Sequence, residues 1–339
     1  MRTVFLTGAT GFIGRHVAEA LLDRGCEVRC LVRTPDRARH LHRDGLRLVA
    51  GSLTDVAGWR DALAGCDAVI NVGGLVAAVR RRDLFATNGA AVGALADACA
   101  RLETPPPLVH VSSLAAVGPT RRGGPPRVEP DRPAPVSLYG ASKRAGEVEL
   151  ERRAGRLPAT IVRPGVVFGP HEPAFAAVFQ MVSAARLHVQ MGFHDPPLSV
   201  IHVADLVAVL LAAVSDGDRL APDAPPGDRG VYHACDDREH PSFGELGHRV
   251  GRAVGVDGRV LVIPVPLEFA WPAFAAIEGV NTALGRPSIV SRDKLRDATA
   301  PSWASSAARC RSQLGVAPAA TLDERLRETA DWLRGARKL

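Results

Sequence analysis

The sequence predicts an α/β fold, a doubly wound parallel sheet with a smaller, mostly helical C-terminal lobe. Short β-branched apolar runs alternate with longer amphipathic segments over roughly the first 165 residues. Several runs are apolar on both faces, which suits parallel strands covered by helices on each side. This alternation implies right-handed strand–helix–strand crossovers within one sheet.

The elements follow one another in a regular order. Strands are predicted at 3–7, 27–32, 46–51, 67–73, 108–113 and 159–165. Helical patterns lie at 12–25, 59–65, 84–100 and 137–155. Later segments predicted to rejoin the sheet are 198–203, 204–214 and 231–236. The Pro- and Gly-rich stretches 118–135 and 215–230 are typical of surface loops.

Segment 260–280, VLVIPVPLEFAWPAFAAIEGV, is apolar but interrupted by prolines. It could be a lid over an apolar ligand or a helix touching a membrane. We favour a third interpretation, a helix packed against the rest of the protein.

Composition and charge disfavour several classes of function. The net charge of +6 comes from scattered arginines rather than basic runs with interleaved aromatics, so nucleic-acid binding is not expected. Six cysteines show no CxxC pair and no metal-ligand spacing, which predicts buried thiols in a reducing compartment and no metal site. No signal-peptide pattern and no apolar run of about 20 residues is seen, so we expect a cytoplasmic protein without a membrane span.

A glycine-rich loop, TGATGFIG, joins the first strand to the first helix. Gly8 would permit a sharp reversal, Gly11 a close approach to a pyrophosphate, and Gly14 tight helix–strand packing. The helix N-terminus would offer free N–H groups to the phosphates. We therefore expect residues 1–170 to form a dinucleotide-binding domain, with 198–236 returning to its sheet. The substrate lobe is predicted at 171–197 and 237–339.

The end of the second strand favours NADP(H) over NAD(H). An acid about 20 residues after the loop would accept the ribose hydroxyls of NAD, but none precedes Asp36. Arg33 could instead pair with a 2′-phosphate, supported by Arg37. NAD(H) remains the alternative cofactor.

A tyrosine and a lysine stand one helical turn apart in SLYGASKRAGE. The chain has only two tyrosines and three lysines, so the spacing of Tyr139 and Lys143 is notable. A nearby ammonium would lower the pKa of the phenol and make it a better proton donor to a carbonyl. The strand LVHVSS ends upstream in two serines, one of which could bind the same carbonyl oxygen. Together these groups predict a carbonyl-reduction site.

At these motifs the chain resembles the extended short-chain dehydrogenases/reductases, also called the NAD-dependent epimerase/dehydratase family, which have a Rossmann fold. TGATGFIG, HVSSLAAVG, YGASK and IVRPGVVFGP occur in the family's order, and nearly the whole chain is covered. The resemblance identifies Ser113, rather than Ser112, as the catalytic serine beside Tyr139 and Lys143. It also implies that Asn88 supports a proton relay to Lys143; the alternative is a buried helix asparagine that makes a structural hydrogen bond.

The resemblance further implies which residues line the cofactor. The glycine loop would contribute Gly8, Thr10, Gly11, Phe12, Ile13 and Gly14. The adenine side would be lined by Ser52, Leu53 and Asp55, although GSL here replaces the usual GDL. Other implied cofactor neighbours are Val72, Gly73, Gly74, Arg163, Pro164, Gly165 and Val166. Family members are often dimers, for which helices 83–102 and 137–154 are the candidates.

Within that family the chain looks most similar to the dihydroflavonol reductase and 3β-hydroxysteroid dehydrogenase branch. Leu114 and Ala115 follow Ser113 where dehydratases carry an Asp-Glu pair. Segment 171–197 is mainly apolar, unlike a diphosphate-gripping lobe. We therefore predict an NADPH-dependent reductase of a bulky, largely apolar small molecule. The alternatives are a nucleotide-sugar epimerase with tightly bound NAD and a non-catalytic, cofactor-sensing regulator.

Overall fold

The computed structural model describes the backbone of residues 1–339 and every side chain except those of Arg37, Arg39 and His40. The supporting role predicted for Arg37 therefore lies outside the described residues. The strands are β1 (Thr3–Thr7), β2 (Glu27–Val32), β3 (Leu46–Ala50), β4 (Ala68–Asn71), β5 (Leu108–Val111), β6 (Ala159–Pro164), β7 (Val166–Phe168), β8 (Leu187–Met191), β9 (Val200–His202), β10 (Val231–Ala234) and β11 (Leu261–Val265). The helices are α1 (Phe12–Asp23), α2 (Arg81–Phe85), α3 (Ala91–Ala100), α4 (Leu114–Val117), α5 (Leu138–Glu151), α6 (Pro173–Ala185), α7 (Val203–Ser215), α8 (Phe243–Ala253), α9 (Leu267–Ala283), α10 (Arg292–Ala298), α11 (Ala308–Leu314) and α12 (Leu322–Gly335).

A parallel sheet of seven strands, counted over the described backbone, has the order β10-β6-β5-β4-β1-β2-β3. The chain moves outward from β1 through β2 and β3, then returns to the other side of β1 with β4. Such a reversal opens a crevice at the carboxyl ends of the strands, where doubly wound sheets bind ligands. The predicted fold class is confirmed.

Helices cover both faces of the sheet and form separate apolar layers. On one face, Val17 and Leu21 of α1 pack with Leu206 and Leu210 of α7. On the other face, the contacting side chains come from α3 and α5 and include Leu95, Cys99 and Leu150. The C-terminal lobe has its own core between α6, α8 and α12 and a parallel pair, β8 with β11.

Segment 198–203 departs from its prediction. The sequence predicts that this run rejoins the main sheet, but β9 pairs with β7 in a separate two-stranded sheet. The edge of β6 is already taken by β10, which pairs with it from Ile161 to Pro164. β9 therefore pairs with β7, the strand that follows β6 in the chain, and does not add a strand to the main sheet. The return of 231–236 to the main sheet is confirmed by β10.

Two predicted helices are also interrupted. Segment 59–65 contains a short 3₁₀ turn, Arg60–Leu63, which follows another at Val56–Gly58. Trp59 separates the two turns; it is buried, stacks on Phe5 at 5.2 Å and donates its indole N–H to the Ser52 carbonyl. Segment 84–100 contains a π-helical turn at Ala86–Ala90 between α2 and α3. Asn88 lies in that turn.

Segment 260–280 is not the packed helix that we favoured from the sequence. Its first part is the strand β11, and its second part is α9, of which Ala270 is buried while Phe269 and Val280 are largely exposed. Pro266 stands just before the helix and ends the strand. The outward apolar face of α9 is considered below.

Candidate active site

The glycine loop brings the ends of β1 and β4 into close backbone contact. Gly8 adopts φ +75°, and a Cβ there would lie 2.7 Å from the Gly73 nitrogen. A Cβ on Gly14 would lie 2.1 Å from the Gly8 carbonyl oxygen. Any side chain at Gly8 or Gly14 would therefore push the loop out of shape.

The loop fits the pyrophosphate of a dinucleotide. α1 begins after Gly11. No side chain caps its N-terminus, and its first turn contains no acidic residue. Thr10 and Gly11 are exposed, and Phe12 and Ile13 are partly exposed. Free N–H groups at the positive end of a helix are suited to hold an anion. These features place a suitable anion cradle at the switch point of the sheet.

Arg33 and the β3 end flank the predicted adenine side. Arg33 is exposed directly after β2. Ser52 is partly exposed, and its hydroxyl lies 2.9 Å from that of Thr54. Leu53 is buried, and a Cβ on Gly73 would lie 3.4 Å from its Cδ2 atom. Asp55 is exposed. The loops after β2, β3 and β4 thus form one continuous edge.

A buried polar chain fixes that edge from below. The Thr7 hydroxyl donates to the Asn71 side-chain oxygen at 2.5 Å and accepts the Gly73 N–H at 3.0 Å. Asn71 also contacts His110 Nδ1 at 3.0 Å. Burial holds the pKa of His110 well below its usual value, so the ring is neutral at this place. No local sequence pattern indicates this network, because its members come from three different strands.

Ser113 and Tyr139 meet at the carboxyl end of β5. The Ser113 hydroxyl accepts the Ala115 N–H at 3.1 Å, which caps α4, and lies near enough to the Tyr139 phenol to influence its pKa. Burial of the phenol, opposed by the Ser113 hydroxyl, raises the pKa of Tyr139 to about 12. The sequence predicts a lowered pKa, and the structure shows a raised one instead. Tyr139 is thus a protonated donor at neutral pH.

Ser112 points away from this meeting point. It is buried and donates to Glu147 Oε1 at 2.6 Å. Glu147 in turn pairs with Arg163, Nε to Oε1 at 2.8 Å, and both side chains are inaccessible to solvent. Burial would raise the pKa of Glu147, but the Arg163 guanidinium outweighs it and lowers the pKa to about 2. Ser113 is therefore the serine that faces Tyr139.

Lys143 lies one turn beyond Tyr139 on α5 and is buried. Its ammonium donates to the Val111 carbonyl at the end of β5, at 2.7 Å. A Cβ on Gly74 would lie 3.5 Å from Lys143 Nζ, so the β4 loop passes directly over the ammonium. Burial lowers the pKa of Lys143 to about 8, although Glu147 opposes the shift.

Asn88 is fully buried and has protein partners for its amide. It accepts the Leu75 N–H and donates to the Leu75 carbonyl, both at 2.8 Å, and donates to Ser142 Oγ at 2.9 Å. Ser142 donates to the Tyr139 carbonyl at 2.7 Å. These bonds tie the β4 loop to the helix that carries Tyr139 and Lys143.

The predicted nicotinamide side is only partly as expected. Pro164 is buried, Gly165 is partly exposed, and Val166 is exposed. A Cβ on Gly165 would lie 2.3 Å from the Ser199 carbonyl, which keeps the turn after β6 tight. Arg163 does not border a cofactor cleft, because strand alternation turns it into the buried pair with Glu147.

Helix α10 brings two further charged residues to Tyr139 that the sequence analysis missed. The Asp293 carboxylate accepts the N–H groups of Leu138 and Tyr139, at 2.6 and 3.1 Å, at the N-terminus of α5. Lys294 Nζ lies 4.0 Å from the centre of the Tyr139 ring. Lys294 is one of only three lysines in the sequence, and this scarcity could have marked it as a candidate site residue. The separation of 155 residues between Leu138 and Asp293 made the contact invisible to local patterns.

Among the described residues, no helix has the length and apolarity needed to cross a bilayer, and no group of three or more His, Cys, Asp or Glu side chains is placed to hold a metal ion. A surface cleft of about 600 Å³ in the C-terminal lobe contains none of the predicted site residues; its lining includes Arg249, Arg252 and Arg259.

Comparisons with known proteins show the family and the fold. The sequence model of the NAD dependent epimerase/dehydratase family matches residues 4–224. A ceramide reductase of Caulobacter vibrioides is 28% identical over 335 residues, covering 98% of this chain and 95% of that protein. A 4-hydroxy-2-methyl-3-oxo-4-farnesyl-3,4-dihydroquinoline-1-oxide ketoreductase of Stigmatella aurantiaca is 29% identical, covering 64% of this chain and 65% of its own. The structure of a UDP-glucose 4-epimerase of Thermus thermophilus in complex with NAD has a TM-score of 0.76 at 22% identity, covering 98% of this chain and 99% of that chain, which shows a shared fold.

Proposed function

The chain belongs to the NAD-dependent epimerase/dehydratase family and is an NAD(P)-dependent oxidoreductase, and we propose that it uses NADPH to reduce a ketone on a bulky, largely apolar small molecule. The observation that supports the proposal is that Ser113 lies beside Tyr139, while Lys143, one turn along α5, donates to the Val111 carbonyl at the end of β5. Alcohol oxidation would be the reverse reaction at the same groups. The small molecule is the expected partner.

Each of the three residues has a distinct task in this proposal. Tyr139 gives its proton to the carbonyl oxygen, which its pKa of about 12 keeps available at neutral pH. The Ser113 hydroxyl donates a hydrogen bond to the same oxygen and orients it. Lys143 supplies positive charge that stabilises the phenolate left behind. The bound nicotinamide supplies the hydride. Asn88 holds the β4 loop against α5, and we assign it a supporting role in the proton relay.

The cofactor would lie along the sheet edge. Gly8, Gly11 and Gly14 would hold its pyrophosphate, with Thr10, Phe12 and Ile13 beside it. The remaining proposed contacts are Ser52, Leu53, Asp55, Val72, Gly73, Gly74, Pro164, Gly165 and Val166.

Three features support an apolar substrate and reduction. One full-length relative is named as a ceramide reductase, and the partial relative is named as a ketoreductase of a farnesyl-bearing compound. In this chain α6, Pro173–Ala185, is apolar except for Gln180 and Ser183. Leu114 and Ala115 after Ser113 are unable to serve as the acid and base of a dehydratase.

Replacing Tyr139 by Phe tests the proposal. We expect Tyr139→Phe to lower kcat for NADPH-dependent reduction of bulky ketones by about 10²–10⁴-fold, because the proton donor is lost. The chain offers a matched control, since Tyr232 is its other tyrosine and is buried in β10 with its hydroxyl bonded to the Asp218 N–H. Tyr232→Phe should leave kcat within about twofold. Near-normal turnover in folded Tyr139→Phe would refute the catalytic assignment.

NADP preference is tested at Arg33. We expect thermal stabilisation by NADP to exceed that by NAD, and Arg33→Gln to weaken NADP binding by about 10–100-fold, the loss of a charge-assisted hydrogen bond. Arg47→Gln is the matched control, because Arg47 is equally exposed on the next strand. Stronger stabilisation by NAD in the unchanged protein would overturn this preference.

A second candidate function is nucleotide-sugar epimerisation with tightly bound NAD, because a UDP-glucose 4-epimerase shares the fold. Absorbance after denaturation of the purified protein separates the two. Stoichiometric released NAD would favour the epimerase. A non-catalytic regulator is separated from both by NADPH oxidation with a panel of bulky ketones.

We also propose a cytoplasmic homodimer that joins helices 83–102 and 137–154 of two copies. On the outer side of α3 and the preceding turn, Ala86, Ala90 and Ala94 are exposed at four-residue spacing. Small exposed residues allow close helix packing. Light scattering on the protein as it elutes from a size-exclusion column measures its mass, which distinguishes a dimer from a monomer.

A further inference from the structure

The exposed face of α9 is apolar along its whole length. We call this face the α9 stripe; it consists of Phe269, Ala273, Ala276, Ile277, Val280 and Leu284. The spacing of three and four residues puts them on one side of the helix. Phe269 is 70% exposed, and Val280 and Leu284 are each 60% exposed. A contiguous apolar patch of this kind marks an interaction surface.

In the hairpin formed by α9 and α10 (residues 267–298), the acids other than Glu268 have protein partners. Glu278 is half-buried and pairs with Arg292 at 2.9 Å. Asp293 is bound to the N-terminus of α5, and Asp297 lies 3.5 Å from Lys294. Within α9, Glu278 and Asn281 are partly buried while most exposed residues are apolar, the reverse of an ordinary surface helix.

The exposed charges of the hairpin are mainly positive. Arg286, Arg292 and Arg296 are exposed, although Arg292 is paired with Glu278, and Glu268 is the exposed acid of residues 267–298. Asp293 and Asp297 are engaged with the N-terminus of α5 and with Lys294. The whole chain carries +6 as well. Apolar side chains beside outward arginines complement the boundary between acyl chains and anionic headgroups.

We propose that the α9 stripe docks on the surface of an anionic lipid bilayer. Phe269, Ile277 and Val280 would enter the acyl boundary, with the arginines at the phosphates. The helix has 17 residues and contains Pro272, so it would lie in the plane of the membrane. A projecting helix rather than a groove favours a bilayer over a peptide. The inference goes beyond the proposed reaction, because docking needs no turnover.

Docking would also place the bilayer close to the proposed active site. α10 follows α9 directly in the chain, packs beside it through the Glu278–Arg292 pair, and carries Lys294 to the Tyr139 ring. Only one helix would separate the membrane surface from the phenol. An apolar substrate could then pass from the bilayer to the site without crossing water.

Vesicle co-sedimentation tests the proposal with the full chain. We expect binding to phosphatidylcholine vesicles that contain phosphatidylglycerol, and weaker binding when the salt concentration rises. Ile277→Glu/Val280→Glu should weaken binding at least about tenfold, because two apolar side chains no longer enter the boundary. Val128→Glu is the matched control, since Val128 is an exposed valine of the 118–135 loop, and it should bind as the unchanged chain does. Equal binding by the double variant would overturn the proposal.

A fluorescent label gives a second measurement that does not depend on the double variant folding. The six native cysteines are buried, so Ala276→Cys and Val128→Cys can each be labelled with an environment-sensitive dye. We expect a blue shift on anionic vesicles at position 276 and none at 128. No shift at 276 would refute membrane docking. The stripe would instead be a protein interface if the unchanged chain does not bind vesicles and Ile277→Glu/Val280→Glu lowers the mass measured by light scattering from dimer to monomer.

Discussion

The two sides of Tyr139 are built differently. On the sheet side, Lys143 is buried and donates to the Val111 carbonyl. Glu147 is also buried and forms an ion pair with Arg163. On the hairpin side, Lys294 keeps 27% of its side chain exposed, contacts the ring face and pairs with Asp297 at 3.5 Å. One side of the phenol is thus fixed by a solvent-free network, and the other is bounded by a helix at the protein surface.

The difference separates what is rigid from what can respond to a substrate. The groups on the sheet side are fixed by β5, β6 and α5, whose backbones are part of the main core. The hairpin is joined to α5 by the Asp293 carboxylate at a helix end. A buried ion pair is costly to break, whereas a partly exposed one contributes little. Movement near Tyr139 should therefore come from the α10 side.

The largest expected effect is on stability at the buried pair. Glu147→Gln should lower the free energy of unfolding by about 3–5 kcal/mol, because Arg163 would remain charged, buried and unpaired. Denaturant unfolding measures the change. Since the pKa of Glu147 is lowered to about 2 from its ordinary 4.5, its contribution is present above pH 4.5 and is lost as the pH falls toward 2.

Glu151→Gln is the control for this change. Glu151 lies on the same helix and pairs with Arg144, but it is partly exposed. Its loss should cost about 1 kcal/mol or less. Equal losses at Glu147 and Glu151 would contradict the contrast between a rigid and a responsive side.

The next effect is the pH dependence of reduction, which concerns Lys143. Its pKa of about 8 means that the ammonium is charged below pH 8 and neutral above it. We expect kcat/KM for NADPH, which reports ionisations of the free enzyme, to fall by about tenfold per pH unit above pH 8. Tyr139 stays protonated over this range because its pKa is about 12. A profile that is flat to pH 10 would show that the charge of Lys143 is not needed.

The rigid side was also the more predictable from the sequence. The glycine loop, the strand-end serine and the Tyr–Lys spacing are local patterns, because each depends on a turn or on one face of one helix. The doubly wound sheet followed from alternating strands and helices. Gly8 adopts the positive φ that its predicted turn requires.

The parts that were wrong or missed depend on contacts distant in sequence. β9 left the main sheet because β10 occupies the edge of β6, which no property of residues 198–203 reveals. Segment 260–280 was predicted as a core helix because it is apolar, but apolarity alone does not say which face meets solvent. The ammonium of Lys294 reaches Tyr139 through the docking of α10 on α5.

The smallest expected effect is at Lys294. A cation within about 4–6 Å of an acid favours its ionised form, and Lys294 Nζ lies 4.0 Å from the Tyr139 ring centre. We expect Lys294→Met to lower kcat by about three- to tenfold, since the phenolate left after proton transfer loses one nearby charge, with KM for the ketone within about twofold. Steady-state kinetics at pH 7 separates the two constants.

Lys338→Met is the matched control, because Lys338 also sits over an aromatic ring, 5.1 Å from the centre of Trp332, at the far end of the chain. It should change neither constant. A change in KM alone at Lys294 would mean that its ammonium binds substrate rather than stabilising the phenolate. In that case the side of Tyr139 that faces α10 would serve recognition, and Lys143 alone would supply the charge for proton transfer.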